Sequence, residues 1–273
     1  MMIDFHVHIG SKDTWYEGNI VMARQFQETN SFQKLLDDDD EVSVDKYIAY
    51  MDRLGIAYSV VMTTIETVDF VEKKCAQSNR LLPFFTFNPH FTFRPELDVE
   101  HAMTERGFKG IKLYPTYWQF YPNEPRLYPV YAKAQELDVP VMFHTGSSTF
   151  PGSRMKYGNP LYMDDLAVDF PDLKIVLAHA GRGFWYDEAF FLSRLHRNVY
   201  LEVSGLPVKK LLQYFPDFEK NGDKILFGSD WPASPGPEKM LDDFGQLPIS
   251  EETKRKILGQ NAARLLKLNP AKP

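Results

Sequence analysis

The chain has 273 residues, which suits one large domain. A hydrophobic share of 44% supplies a sizeable core and excludes a disordered chain. The net charge of -6 excludes a basic field for nucleic acid or anionic lipid, so neither is an expected partner.

Short apolar runs rich in β-branched and aromatic residues alternate with helical patterns throughout. They predict strands at 3–8, 56–62, 81–87, 108–113, 139–144, 173–179, 198–203 and 224–229. After the first interval, successive strands begin about 25–35 residues apart, the length of one strand, loop and crossover helix. Eight such units predict a closed (β/α)8 TIM barrel, an α/β fold of one domain over residues 1–273.

Between strands, residues 44–54 place Val44, Tyr47, Ile48, Met51 and Leu54 on one helical stripe, which Gly55 ends. Residues 125–137 repeat the pattern, and 250–268 read as closing helices. The long connections are 9–43 and 145–160. Both leave a strand's C-terminal end, the position of lids and substrate walls. The acidic run Asp37 to Glu41 lacks calcium-loop spacing and reads as a solvated loop. The single cysteine, Cys75, excludes an internal disulfide and reads as a packed thiol. No apolar run is long enough to span a membrane, and the first strand leaves no room for a signal peptide, so the expected location is cytoplasmic.

Chemistry-bearing residues gather at strand ends. His6 and His8 alternate on the first strand, so both point the same way, roughly 6.6 Å apart along the backbone. The fifth strand ends in His144, the sixth in His179 and the eighth in Asp230. In a parallel barrel these ends open on one face, where imidazoles and a carboxylate can share a divalent cation. The remaining histidines, His90, His101 and His196, read as surface or packing residues. Tyr114, Trp118, Arg154, Arg182, Trp185, Ser204 and Trp231 also follow strand ends and are candidates for touching a substrate. Arginine forks suit a carboxylate, with Arg154 the leading clamp.

Several segments resemble the amidohydrolase superfamily, in the amidohydrolase-related branch that includes aminocarboxymuconate-semialdehyde decarboxylase. They are His6-Val7-His8, Gly110 to Pro115, His144, Ala178 to Gly181, Gly228 to Pro232 and Asn261 to Leu266. The resemblance implies that His6, His8, His144 and Asp230 hold one divalent metal, zinc being expected. It also implies that His179 handles a proton, with Asp230 as the other catalytic candidate. Lys112 stays open between a carboxylated bridge to a second metal, a substrate contact and a barrel ion pair. Tyr114, Arg154, Arg182 and Trp231 are the other substrate-side expectations.

Zinc held by few protein ligands keeps a position open and activates water. The leading expectation is therefore a metal-dependent hydrolase of a small carboxylate-bearing lactone, amide or ester. The alternative is a metal-dependent decarboxylase of a small unsaturated or aromatic acid. Phosphoesterases of the polymerase-and-histidinol-phosphatase type also begin with a histidine pair, but they commonly place histidine where this chain has Trp231-Pro232. A ligand-binding pseudoenzyme is the non-enzymatic reading. The aromatic segment 84–93 and the resemblance together predict a homodimer.

Overall fold

The structure is a computed structural model that describes residues 1–11, 31–148 and 150–269. Eight parallel strands pair in sequence order: β1 Met2–Val7, β2 Ile56–Met62, β3 Leu81–Phe85, β4 Gly110–Leu113, β5 Val141–His144, β6 Ile175–Ala178, β7 Val199–Glu202 and β8 Ile225–Leu226. The ring closes between β8 and β1. Phe5 N–H donates to the Phe227 carbonyl at 2.9 Å, and His8 N–H to the Trp231 carbonyl at 2.8 Å. The expected (β/α)8 barrel is therefore present.

Helices cover the outside. They include α1 Val44–Leu54, α2 Val68–Cys75, α3 Pro95–Thr104, the single turn α4 Pro115–Trp118, α5 Tyr128–Glu136, α6 Tyr162–Asp169 and α7 Tyr186–Leu195. Gly55 ends α1 in the left-handed region, at a φ of 71°, as its position after the apolar stripe suggests. The C-terminal residues 251–265 form one run of helix with a π-helical segment at Lys256–Gln260.

The strands alternate between two cores. On β4 and β5, Ile111, Leu113, Val141 and Phe143 pack outward against helices, whereas Met142 lies in the barrel interior. Lys112 pairs in register with Met142 and so faces inward. The interior floor holds Ile3, Phe5, Leu82, Phe84, Val176 and Leu226, and Ala262 and Leu265 belong to the same cluster. Phe5 meets Phe84 edge-to-face at 5.7 Å. Gly110 is required there, because a Cβ would sit 2.5 Å from the Phe84 ring. Burying each such ring contributes about 1.5–3 kcal/mol.

One feature of β1 departs from simple alternation. Its register against β2 shifts between Asp4 and Val7. The buried Asp4 carboxylate accepts the His6 N–H at 3.3 Å and the Ser229 N–H at 2.8 Å, tying the bulge to the end of β8. As a result Phe5 enters the floor while its neighbour His6 reaches the groups above it. Bulges commonly re-aim a side chain at a site in this way.

Candidate metal centre

His6, His8 and Asp230 converge at the C-terminal mouth. Their ligand atoms all lie within 4.8 Å of one another. Asp230 Oδ1 is 3.5 Å from His6 Nε2 and 3.4 Å from His8 Nε2. Two ligands each about 2.1 Å from a tetrahedral ion stand about 3.4 Å apart, so this spacing fits a divalent metal. Two neutral imidazoles and one carboxylate are also the donor set that such ions take.

A second set built on the same imidazole has His6, His179 and Glu202 within 4.8 Å. Glu202 ends β7 and is fully buried. Its Oε2 accepts from His6 Nδ1–H at 3.0 Å and from the Ser204 hydroxyl at 2.9 Å. Its Oε1 accepts the Ser204 N–H at 2.6 Å. Three donors facing one carboxylate fix the His6 proton on Nδ1 and leave the Nε2 lone pair aimed at Asp230 and His8. His179 is fixed likewise: its Nδ1–H donates to the Ser204 carbonyl at 3.0 Å, which frees Nε2. Ser204 Oγ lies 3.1 Å from Nδ1 of both histidines and joins them. Gly228 makes the pairing geometrically available, since a Cβ would lie 2.3 Å from Glu202 Oε1 and 2.8 Å from His6 Cβ.

His144 sits next to His179, with ring centroids 4.6 Å apart. Its Nε2 is 3.3 Å from the Ser147 carbonyl, and it does not join the compact His6–His8–Asp230 set. To bind the same ion it must offer Nδ1 or leave that carbonyl. Of the four ligands implied by resemblance, the structure thus brings three together and places the fourth beside them.

Electrostatics suit the site to ligation. Burial, reinforced by Lys112, holds His6 and His144 well below the usual imidazole range; burial and Arg182 do the same for His179. All three are therefore neutral near pH 7. Burial opposes the charge on Asp230, but His6, His8 and Arg182 outweigh it and keep the carboxyl below its ordinary range. Burial pushes Lys112 down to about 8 and Glu202 up to about 7. The backbone is left-handed at His179 (φ 62°), Ala180 (φ 46°) and Asp230 (φ 57°), an arrangement that clusters at working sites.

The substrate-side candidates separate. Arg182 donates to the Ser147 carbonyl at 2.9 Å, and its guanidinium lies close to His179 across Gly205. Tyr114 is buried, donates to the Thr63 carbonyl at 2.7 Å and stacks on Tyr117, with ring centroids 5.4 Å apart. Tyr117 in turn lies 5.0 Å from both His144 and Phe150. These rings form an aromatic wall beside the histidines. Arg154 is exposed, its N–H donates to the Thr116 carbonyl at 2.8 Å and its carbonyl accepts the Tyr157 N–H at 3.3 Å. Trp231 points away from the mouth, into the outer core between the barrel and α1, against Phe32, Tyr47 and Tyr50. Glu202 was not among the expected residues. Its signal was a carboxylate ending an otherwise apolar strand, the same signal that marks Asp230.

The long connections are only partly described. Residues 12–30 of the first lie outside the described residues. In the second, Gly146 N–H donates to the Gly158 carbonyl at 2.7 Å and Ser147 N–H to the Arg182 carbonyl at 2.7 Å. Those bonds clip its two ends together and to the loop after β6.

A parallel barrel whose mouth gathers imidazoles and a carboxylate at metal-binding distance is the architecture of a barrel enzyme. The amidohydrolase family profile matches residues 3–268, and the chain belongs to that family. By sequence it is 26% identical to a gamma-resorcylate decarboxylase of a Polaromonas species, over 64% of this chain and 68% of that protein. A second gamma-resorcylate decarboxylase, from Rhodococcus jostii, is also 26% identical, over 63% of this chain and 66% of its own. The fold resembles a Polaromonas dihydroxybenzoic acid decarboxylase solved with manganese and 2-nitroresorcinol. Its TM-score is 0.76 at 21% identity, with 98% of this chain and 97% of that one covered. It also resembles a probable 2-pyrone-4,6-dicarboxylic acid hydrolase of Acinetobacter baumannii with citric acid bound, at a TM-score of 0.67, 20% identity and coverage of 98% and 99%. The chain is an enzyme of amidohydrolase type. Among its relatives, decarboxylases outweigh the hydrolases expected first. Among the described residues, no helix is long and apolar enough to cross a membrane.

Proposed function

We propose that this protein is a metal-dependent decarboxylase of a small aromatic or unsaturated acid. The observation that carries the reading is the likeness to named gamma-resorcylate decarboxylases over about two thirds of their length. The aromatic wall of Tyr114, Tyr117 and Phe150 beside His144 supports it, because a flat acid can lie against those rings.

His6, His8 and Asp230 would hold the ion, with His144 recruited as a fourth ligand. A bound divalent ion would supply a Lewis acid that anchors and polarises a substrate oxygen. The relatives' manganese makes manganese as well as zinc a candidate, and the donor set accepts both. The reaction breaks one C–C bond, releases carbon dioxide and leaves the electron pair on carbon, which takes one proton. No oxidant or reductant is consumed. His179 is the group to move that proton. Its Nε2 is unprotonated and faces the mouth, so it can take a proton from a hydroxyl or water and return it to carbon. Arg182 would hold the acid group at the rim.

Hydrolysis is the second reading. The same neutral His179 Nε2 would deprotonate water, and the pyrone hydrolase shares the fold. The test is carbon dioxide release from dihydroxybenzoic acids by manganese- and zinc-loaded protein, run beside ring opening of a pyrone dicarboxylate. Ring opening without carbon dioxide would overturn the decarboxylase reading in favour of hydrolysis.

A further inference from the structure

We propose that Lys112 is a second anchoring point for substrate, an ammonium that takes an ionised oxygen across the barrel from the metal ligands and so selects dianions. The proposal deepens the reading of this mouth as an acid-binding site.

Lys112 is 0% exposed, yet its Nζ has no hydrogen-bond partner among the described residues. Three N–H donors are thus left unused on a fully desolvated cation, an expensive arrangement unless something else occupies them. The carboxylates that could occupy them are engaged elsewhere. Glu202 is taken by Ser204 and His6, and Asp230 Oδ1 faces His8 Nε2 at 3.4 Å. Neither forms an ion pair with the lysine, although both lie near enough to favour its charge. The Tyr114 ring, 5.3 Å from Nζ, flanks the ammonium without filling its donors.

Position gives the ammonium its role. In a closed ring of eight strands, β4 lies opposite β8, so Lys112 faces Asp230 across the interior. His6, His144, His179 and Glu202 all lie near enough to feel its charge, and its register partner Met142 belongs to the Phe5–Phe84 floor. A molecule held by the metal ligands on one side would present its far end to Lys112. A dicarboxylate, or a carboxylate with an ionised phenol, carries two ionised oxygens, one for the side of the metal ligands and one for the unpartnered ammonium.

Isophthalate, with two carboxylates, and benzoate, with one, are titrated by calorimetry into manganese-loaded wild-type protein and Lys112→Met, with metal content measured in each. The wild type should prefer isophthalate by about 10- to 150-fold, the worth of one charge-assisted hydrogen bond. Lys112→Met should bring the two affinities together, leave benzoate affinity and metal stoichiometry unchanged, and raise the melting temperature of ligand-free protein by removing an unpaired buried charge. Lys112→Gln, read the same way, serves if the methionine variant does not fold. The proposal is overturned by equal affinities in the wild type or by a preference that survives in both variants. Metal loss in the variants, with a carbon dioxide adduct on the wild-type lysine by intact mass, would also overturn it by making Lys112 a ligand. A drop in melting temperature with the preference intact would make it a structural cation. Binding needs no turnover, so failure to release carbon dioxide from any acid would sink the decarboxylase reading alone.

Discussion

Replacing Glu202 with glutamine tests whether the His6 ring is set by its partner rather than by the strand. The carboxylate faces three donors: Ser204 N–H at 2.6 Å on Oε1, and Ser204 Oγ–H at 2.9 Å and His6 Nδ1–H at 3.0 Å on Oε2. Glutamine offers one oxygen and one NH2 in the same space. With its oxygen toward His6, the NH2 opposes the Ser204 N–H, and a buried donor loses its acceptor at a cost of about 1–3 kcal/mol. With its NH2 toward His6, Nδ1 must become an acceptor. The ring proton then moves to Nε2, the atom that faces Asp230, and His6 ceases to be a ligand. Partners of this kind are worth about 10- to 100-fold in metal affinity, or about 1.4–2.8 kcal/mol. Manganese and zinc affinities of wild type and Glu202→Gln, measured by competition with a chromophoric chelator, should differ by that factor. Circular dichroism should show the fold intact. An affinity indistinguishable from wild type would refute the argument and mean that the strand alone orients His6.

Gly228→Ala should lower both metal content and melting temperature, because its Cβ would lie 2.3 Å from Glu202 Oε1 and 2.8 Å from His6 Cβ, an overpacking worth about 1–3 kcal/mol. Normal metal content by elemental analysis would show that the pair can shift without harm. Arg182→Met should raise KM for an acid substrate about tenfold or more, whereas exposed Arg154→Met should leave KM near wild type; the reverse order in steady-state kinetics would return the clamp to the loop after β5. Trp231→Phe should lower the melting temperature and leave KM unchanged, and a KM effect would mean that the outer core between barrel and α1 communicates with the mouth. Restoring manganese to chelator-treated protein at a hundredfold its dissociation constant should stabilise it by about 2.7 kcal/mol, read as a rise in melting temperature. Light scattering should give a dimer, and Phe91→Ser with Phe93→Ser should weaken it, since these side chains are 88% and 97% exposed; an unchanged mass would place any interface elsewhere.

The barrel was legible because eight apolar runs recur at one spacing, and the mouth because polar residues end those runs. The direction of Lys112, left open by the sequence, is inward because it pairs in register with Met142. Other features depend on contacts between distant segments. The bulge in β1 is held by Asp4 reaching Ser229, a contact between opposite ends of the chain. The left-handed backbone at Asp230 turns the next residue outward, so Trp231 packs beside α1 although it directly follows a site residue. Arg154 was singled out by its place in a long loop, but the clipped ends of that loop leave its side chain outside. Glu202 carried a readable signal, a carboxylate at the end of an apolar strand, but its pairing with a histidine nearly two hundred residues earlier exists only in the folded barrel.

The two levels of the barrel interior divide the work. Below, Ile3, Phe5, Leu82, Phe84, Val176 and Leu226 fill the space with apolar side chains and no polar obligation. Above, Lys112 and Glu202 bring charge into buried positions and Asp230 into a partly covered one, and His179, Ala180 and Asp230 hold left-handed backbone. Each such backbone position costs about 1–3 kcal/mol, and each unsatisfied buried donor a similar amount. Those costs sit within a few residues of one another at the strand ends, where folding alone would favour hydrophobic side chains. Their concentration at one end therefore marks the strand ends as the working face, where the proposed ion and acid substrate would supply partners. The apolar floor supplies the stability that lets the mouth stay polar.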